Sequence, residues 1–420
     1  MEKHNPRLLL IGLNWPDPTA TAAGVRMLQL ISLFKSGGYQ ITFSSAAALP
    51  TGGEFPEIPG VNFSRIRLNH DSFDAFISEL DPGIVIFDRF LTEEYFGWRV
   101  ARILPRAIRI VDTEDLHSLR QARKVALDNG VDFTPSLWKT LEITKRELAS
   151  LFRCDLSLII SRAEMDWLKE HVPSLTPQLF YLPFIFEEAD LVEESDRLPF
   201  EDRKDFVFIG SGRHLPNTDA ISYLKKVVWP LIRKKLPDAC VHIYGASLPR
   251  KVTDLRAPED NFFVKGWIPD VSTVLRTARV NLMPLRFGAG LKGKMFEAIH
   301  CGTPSAMTSI AAEGTVLADK KEYVADDPHL FASLAVSLYR EKKLWEDLQR
   351  RGDDMLRNDF CCTAFEEELM NQLDVLTHQL DEIRENNLLG SMLLHHTMAS
   401  SKYLSKWIGL KEEQSKQQER

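Results

Sequence analysis

Cysteine is scarce in this sequence, with five in 420 residues, at positions 154, 240, 301, 361 and 362. The number is odd, the positions are scattered and no CxxC pair occurs, so neither a disulfide framework nor a zinc site is indicated. On cysteine usage the chain reads as cytoplasmic and reduced. No stretch approaches the ~18 apolar residues of a membrane-spanning helix. The apolar run near the start, Leu8 to Leu13, is too short for a signal peptide and lacks a small-residue cleavage site. Breakers are not in excess either: 22 glycines and 22 prolines exclude collagenous and low-complexity readings. An excess of basic charge is also missing. Lys and Arg number 52 against 59 Asp and Glu, a net −7, which argues against a nucleic-acid partner while leaving room for local basic pockets.

What is present is an alternation of short apolar runs with amphipathic stretches, the pattern of parallel βαβ units. Length alone suggests two or three domains, large enough to need no covalent staple. In the first half, strands are expected at Arg7–Leu13, Gln40–Ser45, Gly83–Asp88, Ala107–Asp112 and Asp155–Ser161. Helices are expected after Gly24 and at Ser72–Leu80, Glu93–Leu104 and Leu137–Phe152. Residues 186–204 lose the periodicity, turn acidic and read as a linker. A second series then restarts: strands at Phe206–Gly210, Cys240–Tyr244, Phe262–Gly266, Val280–Pro284 and Pro304–Thr308, with helices over Ala220–Leu236 and Lys294–His300. The expected class is α/β, two doubly wound parallel-sheet domains facing a cleft, at 1–185 and 205–360.

Beyond residue 360, Phe365, Leu369, Leu373, Leu376, Leu380 and Ile383 step by threes and fours, so 361–385 reads as one amphipathic helix. The tail, 386–420, carries Leu388, Leu389, Met392, Leu393, Tyr403, Leu404, Trp407 and Ile408 before a polar end. Two readings stand side by side: a helix packing back on the body, or a contact with a membrane surface or a protein partner.

The stretch from Val280 to Gly314 carries the most chemistry. It is a buried strand followed by a loop with Gly288, Gly290 and Gly293, then Lys292, Lys294 and a helix. Glycines let a backbone approach a ligand, and a helix N-terminus attracts anions. Lys292 and Lys294 at that point would neutralise phosphate, and Glu297 could accept hydrogen bonds from sugar or ribose hydroxyls.

This stretch resembles the donor-site signature of the group-one glycosyltransferases (family four), which have the GT-B fold of two Rossmann-like domains. The resembling residues are the Gly288–Lys294 loop, Glu297 and the Cys301-Gly302-Thr303-Pro304 turn. Three further segments agree: Phe208 to Asn217 with the first strand and loop of the donor domain, Gly266 to Asp270 with the loop near the base, and Gly12 with Ala22 to Gly24 with the N-domain glycine loop. The resemblance spans roughly residues 7–380. It implies that Lys294 and Arg213 bind a diphosphate, Glu297 the ribose and the Gly266–Asp270 loop, including Trp267, the base, with Gly24, Gly210, His214, Gly288, Gly290 and Lys292 completing the donor site. It also implies retention of anomeric configuration, no metal and no cofactor beyond the nucleotide-sugar substrate. The family often has a further glutamate eight residues before Glu297, and Ala289 stands there instead. No Asp-x-Asp occurs anywhere, whereas metal-dependent transferases use such a pair to hold a cation against the diphosphate.

On the acceptor side, Asp112, Thr113, Glu114, Asp115 and His117 follow an expected strand, where doubly wound sheets bind ligands. His117 could bond a sugar hydroxyl near the reacting carbon, and it is grouped with Lys294 and Glu297 as a catalytic candidate; helix capping is the plainer alternative for this loop. Asp88 and Arg89 close the preceding strand in the same way. His214 divides between donor contact and loop packing, and His395-His396 is assigned to the tail surface.

The expected activity is glycosyl transfer from a nucleotide-sugar to a glycan, lipid-linked or protein acceptor, in surface glycan or glycoconjugate synthesis. The expected setting is the cytoplasm, with peripheral contact at the inner membrane face through the tail as the second reading. The competing readings are a catalytically silent GT-B scaffold partnering an active transferase and a sugar-nucleotide epimerase. A dinucleotide oxidoreductase is disfavoured, because Gly12 opens no close GxGxxG.

Overall fold

The computed structural model of the protein describes residues 6–16, 22–49, 54–187 and 197–418. Residues 188–196, the acidic half of the expected linker, lie outside the described residues, as do 419–420 at the end of the tail.

Two parallel sheets carry the fold. The first contains β1 (Arg7–Gly12), β2 (Gln40–Ser45), β3 (Val61–Arg65), β4 (Ile84–Asp88), β5 (Ile108–Asp112), β6 (Leu156–Ile159) and β7 (Leu179–Tyr181), in the order β3-β2-β1-β4-β5-β6-β7. The second contains β8 (Lys204–Ile209), β9 (Val241–Tyr244), β10 (Phe262–Gly266), β11 (Ala278–Met283) and β12 (Ser305–Met307), in the order β10-β9-β8-β11-β12. Every pairing within both sheets is parallel. Both orders reverse beside their first strand, which opens a crevice at the carboxyl ends of the strands on either side of the reversal.

The strands are continuous apolar runs because both sheet faces are covered. Alternation along each strand divides its side chains between two cores. Leu9, Ile11, Val85, Phe87 and Val111 face one layer of helices, while Leu8, Leu10, Ile84, Ile86, Ile108 and Ile110 face the other. In the second sheet Phe206, Phe208, Val241, Ile243, Val280 and Leu282 enter the larger core, with Val207 and Ile209 on the opposite face.

Several boundaries differ from the sequence reading. β3 and β7 were not anticipated: β3 is an edge strand with the partly exposed pattern of Val61–Arg65, and β7 has only three residues. Leu137–Phe152 is two helices, Pro135–Thr140 and Glu142–Arg153, broken at Leu141, whose backbone is extended (φ −70°, ψ 141°). The helix after β4 begins at Arg89 rather than Glu93. The first donor-side helix begins at Leu215 and passes through a π-helical turn at Leu224–Val228.

The helix Cys362–Asn386 leaves the second domain and docks on the first. Leu369, Leu373, Leu376 and Leu380 are buried with Leu8, Leu30 and Phe34. Arg384 fixes its end, donating from Nε to Asp155 Oδ1 and from Nη2 to Asp155 Oδ2, both at 2.7 Å. The tail forms a further helix, Leu388–Gln418, lying against Glu142–Arg153 and Arg89–Ile103. It can lie that close because Gly390 has no side chain: a Cβ there would stand 2.1 Å from the Phe152 carbonyl oxygen. Asn387 Nδ2 donates to that same carbonyl at 2.8 Å, and Arg99 Nη2 to the buried Ser405 Oγ at 3.1 Å. Of the two readings of the tail, the inward face is a helix packed on the body.

Candidate active site

The first domain contributes the ends of β4 and β5. Arg89 and Glu114, just past them, both have left-handed backbones, with φ of 69° and 62°. Such conformations are uncommon for residues with a Cβ and concentrate at functional sites. Arg89 Nη2 lies 3.5 Å from Glu114 Oε2. Asp88 Oδ2 accepts a hydrogen bond from the Leu13 amide at 2.9 Å, which ties the loop after β1 to this edge. Burial pushes Asp88 up, and pushes Glu114 up to about 8 against the pull of Arg89.

His117 starts the helix His117–Asn129, and this N-terminus is closed from within. Glu147 accepts from the amides of His117 at 2.8 Å and Ser118 at 3.0 Å. Glu164 Oε1 accepts from the Leu116 amide at 2.8 Å. Burial raises both carboxyls, Glu147 to about 7 and Glu164 to about 8. His117 Nε2 stands 3.3 Å from Asp115 Oδ1, yet burial pushes the imidazole down to about 4, so it is neutral near pH 7. Asp115 behaves oppositely: despite its burial, Arg120 and then His117 hold it well below the usual carboxylate range, and Arg120 Nη1 donates to it directly.

The second domain contributes the Gly288–Lys294 loop and the helix Gly293–His300. Among the described residues no side chain is seen to accept from the first amides of this helix, whereas Glu147 and Glu164 close the helix of the first domain. Its open amide end and partial positive charge are therefore available to an anion. Lys294 Nζ sits 2.9 and 3.0 Å from the two carboxylate oxygens of Glu297. Lys292 Nζ donates to the Gly290 carbonyl at 2.6 Å, and burial pushes its ammonium down. The Cys301–Pro304 turn behind the helix is braced by Arg203, which has no exposed surface and donates to Thr303 Oγ1 at 2.8 Å and to the Cys301 carbonyl at 2.9 Å.

The two domains meet through this loop. Glu164 Oε1 also accepts from the Gly290 amide at 2.8 Å, so one buried oxygen holds both the His117 loop and the donor loop. Gly290 has φ +64°, and a Cβ there would stand 2.7 Å from that of Asp115. Arg123 crosses the same boundary, donating to Glu313 Oε2 at 2.8 Å and Oε1 at 2.6 Å, and to the Gly288 carbonyl at 2.7 Å. Despite burial, Arg123 and Lys292 hold Glu313 below its ordinary value.

Between the lips lies a cavity of about 450 Å3, within the range of small-molecule sites. Among the sequence candidates, Gly24, Asp88, Arg89, Glu114, Asp115, His117, Arg213, His214, Gly288, Lys292 and Lys294 line it. Burial, and then Arg120, pushes His214 down to about 4. The other candidates lie around it. Gly210 ends β8 and packs on Asn217, Gly290 serves the domain contact, and Glu297 reaches the cavity only through Lys294. Gly266 closes β10 with φ +81°, and Trp267 beside it is 62% exposed. Asp112 is fully buried in an ion pair with the equally buried Arg26 at 3.0 Å, so it braces the sheet and does not face the cavity. Ala289 lines the cavity and belongs to the apolar cluster of the first domain that includes Leu116 and Leu119.

Sequence reasoning missed Asn14, Arg120, Arg123, Glu147, Glu164 and Glu313. Glu164 had a usable signal: an acidic residue in the first helical turn after a buried strand. Glu147 and Arg123 had none, since each is one charge on an ordinary amphipathic helix.

Among the described residues, one group of metal-type donors lies within 4.8 Å of one another: Asp205, Cys240 and His242. It sits at the start of β8 and β9, at the strand ends opposite the cavity.

Residues 203–341 match the family model of glycosyl transferases group 1. Two α/β domains with a phosphate-type loop from the second closing on the strand ends of the first agree with it. That third of the chain is similar to the group 1 glycosyltransferases, and the two-domain fold is of the GT-B type. No curated protein matches its sequence. Its fold is similar to that of sucrose-phosphate synthase from Thermosynechococcus elongatus, with 15% identity, a TM-score of 0.69, and 89% of this chain and 99% of that one covered. It is also similar to the pneumococcal O-GlcNAc transferase GtfA, solved with UDP and GlcNAc (13% identity, TM-score 0.64, 89% and 100% covered). Anabaena HepE, solved with UDP and glucose, gives 11% identity and a TM-score of 0.60 over 89% and 100%. Those likenesses concern the fold. No helix among its described residues is long and apolar enough to cross a membrane.

Proposed function

We propose that the enzyme moves a sugar from a nucleoside-diphosphate sugar to an acceptor hydroxyl, with retention of configuration and without a divalent cation, in the synthesis of a surface glycan or glycoconjugate. One observation carries this reading: the uncapped N-terminus of Gly293–His300 opens beside Lys292 and Lys294 on a cavity that Arg213 also lines. The leaving diphosphate would rest there, its developing charge met by fixed cations and amide dipoles. The donor sugar would then point towards Asp88, Glu114 and His117. Glu114 holds its proton near neutral pH and Asp115 is engaged by Arg120, so neither offers a free carboxylate for a covalent intermediate. In the step this favours, the acceptor oxygen attacks the anomeric carbon on the face from which the diphosphate leaves. The bond to the diphosphate breaks as the new glycosidic bond forms, and the acceptor proton passes to a phosphate oxygen. Closure of the loop through Glu164 and Arg123 keeps water from competing.

The test is release of nucleoside diphosphate across a panel of nucleotide-sugars, with and without EDTA. Lys294→Ala should lower kcat by ~100-fold or more, the scale for removing a charge stabiliser from a reacting centre. Full activity in both Lys294→Ala and Glu297→Ala would overturn the site, inversion at the anomeric carbon the mechanism, and loss of activity in EDTA the metal independence.

A further inference from the structure

On the outer face of the tail helix, large apolar side chains stand exposed, away from the cavity. With ~100° between successive residues of a helix, Leu388, Leu389, Met392, Tyr403, Trp407 and Leu410 fall within an arc of roughly 100°. Each of these residues is between 46% and 70% exposed; Leu404, 58% exposed, falls outside the arc. Gly390, Leu393, Thr397, Ser405 and Ile408 occupy the opposite arc, turned to the first domain through the Phe152, Arg153 and Arg99 contacts. At ~1.5 Å per residue the apolar ridge runs for about 33 Å. So long a ridge of large exposed apolar side chains marks an interaction surface.

The charge along it identifies the partner. The whole chain carries −7, yet from Asn386 to Lys411 there is no Asp or Glu, and Lys402, Lys406 and Lys411 are the charged residues; with Glu412, Glu413 and Lys416 beyond them, the helix has four lysines against two glutamates. On the wheel Lys406 borders the apolar arc on one side and Lys411 on the other, with Lys411 Nζ 4.0 Å from the Trp407 ring centre. Lysines flanking an aromatic and aliphatic face belong to helices that lie in the plane of a bilayer interface. A second copy of the chain fits less well, because apposing two such faces brings the lysines together. We infer that the helix Leu388–Gln418 is a docking surface for an anionic lipid bilayer, lying on it without spanning it, with the first domain held at the membrane.

The full-length enzyme is tested by co-sedimentation with vesicles of phosphatidylcholine alone and of phosphatidylcholine mixed with phosphatidylglycerol, and by sizing in solution. Binding to the mixed vesicles, reduced by salt, is expected. Trp407→Asp with Leu410→Asp should abolish it, and Lys406→Glu with Lys411→Glu should weaken it by at least ~25-fold, at about five-fold per basic residue. These residues lie outside the cavity, so nucleoside diphosphate release and thermal unfolding should be unchanged, which separates failure here from failure of the transferase reading. No binding to mixed vesicles, equal binding to neutral ones, or binding that survives the Trp407→Asp, Leu410→Asp pair would overturn the inference. So would a dimer that this pair dissociates.

Discussion

Replacing Glu164 should separate the two jobs its carboxyl performs. Oε1 accepts from the amides of Leu116 and Gly290, both at 2.8 Å, and the residue has no exposed surface. In Glu164→Ala both amides lose their partner in a dry site. Each buried unsatisfied group costs about 1–3 kcal/mol, so the loss should total ~2–6 kcal/mol. Half of it falls on the contact between the domains, because Gly290 belongs to the donor loop. Glu164→Gln keeps a carbonyl oxygen that can accept both bonds. It also removes an ionisation that the folded state resists: the carboxyl titrates at about 8 in the protein, against ~4.3 in an unfolded chain. Because the folded form holds this proton more tightly, Glu164 withdraws stability as pH rises through that window. Thermal unfolding across pH and steady-state donor kinetics are the assays. Ala should unfold earlier and raise KM for the donor, while Gln should do neither and should be less sensitive to pH between 6.5 and 8. A Gln variant as damaged as the Ala variant, or an Ala variant with unchanged stability and KM, would refute the reasoning.

Glu147 uses both its oxygens, so Glu147→Gln can keep only one of its two bonds and should cost ~1–3 kcal/mol, measured by chemical denaturation at fixed pH. His117 and His214 titrate near 4 in the protein against ~6.5 unfolded, so they withdraw stability as pH falls through that window; His117→Gln with His214→Gln should flatten the acid limb of the unfolding profile. Gly290→Ala sets a Cβ against Asp115 at a positive φ, and its backbone strain alone is ~1–2 kcal/mol. Small-angle scattering should then record a more open molecule, with donor KM raised. Arg203→Met leaves the Thr303 hydroxyl and two carbonyls without their donor, so limited proteolysis should cut the 301–304 turn faster than in the wild type.

Much of the site could be read from residue order because its elements are local. The Gly288–Lys294 loop, its lysines and the helix after it are contiguous, and a glycine-rich loop leading into a helix has the same physical meaning in any context. Strand ends were legible too, since a polar cluster closing a buried apolar run marks a carboxyl edge, and this found Asp88, Glu114 and His117. The same rule misplaced Asp112, which closes β5 as Asp88 closes β4 but is buried and neutralised by Arg26 from a helix 86 residues away. β3 and β7 escaped because neither edge strand has a fully buried residue, unlike the equally short β12, whose three residues are all buried. The break at Leu141 escaped because no glycine or proline announces it.

By itself the sequence determined two α/β halves, the donor loop and the amphipathic helix after residue 360, since each follows from periodicity or a local motif. Only the tertiary structure decided which helix N-terminus stays open to an anion. The His117 helix is closed by Glu147 and Glu164, which reach it from 30 and 48 residues away, while Gly293–His300 is left uncapped. It also decided that the tail, of which sequence showed only an apolar character, turns Gly390, Leu393, Thr397, Ser405 and Ile408 inward and leaves most of its large apolar residues outside. Burial and long-range hydrogen bonding set both outcomes, and neither is encoded in the spacing of neighbouring residues.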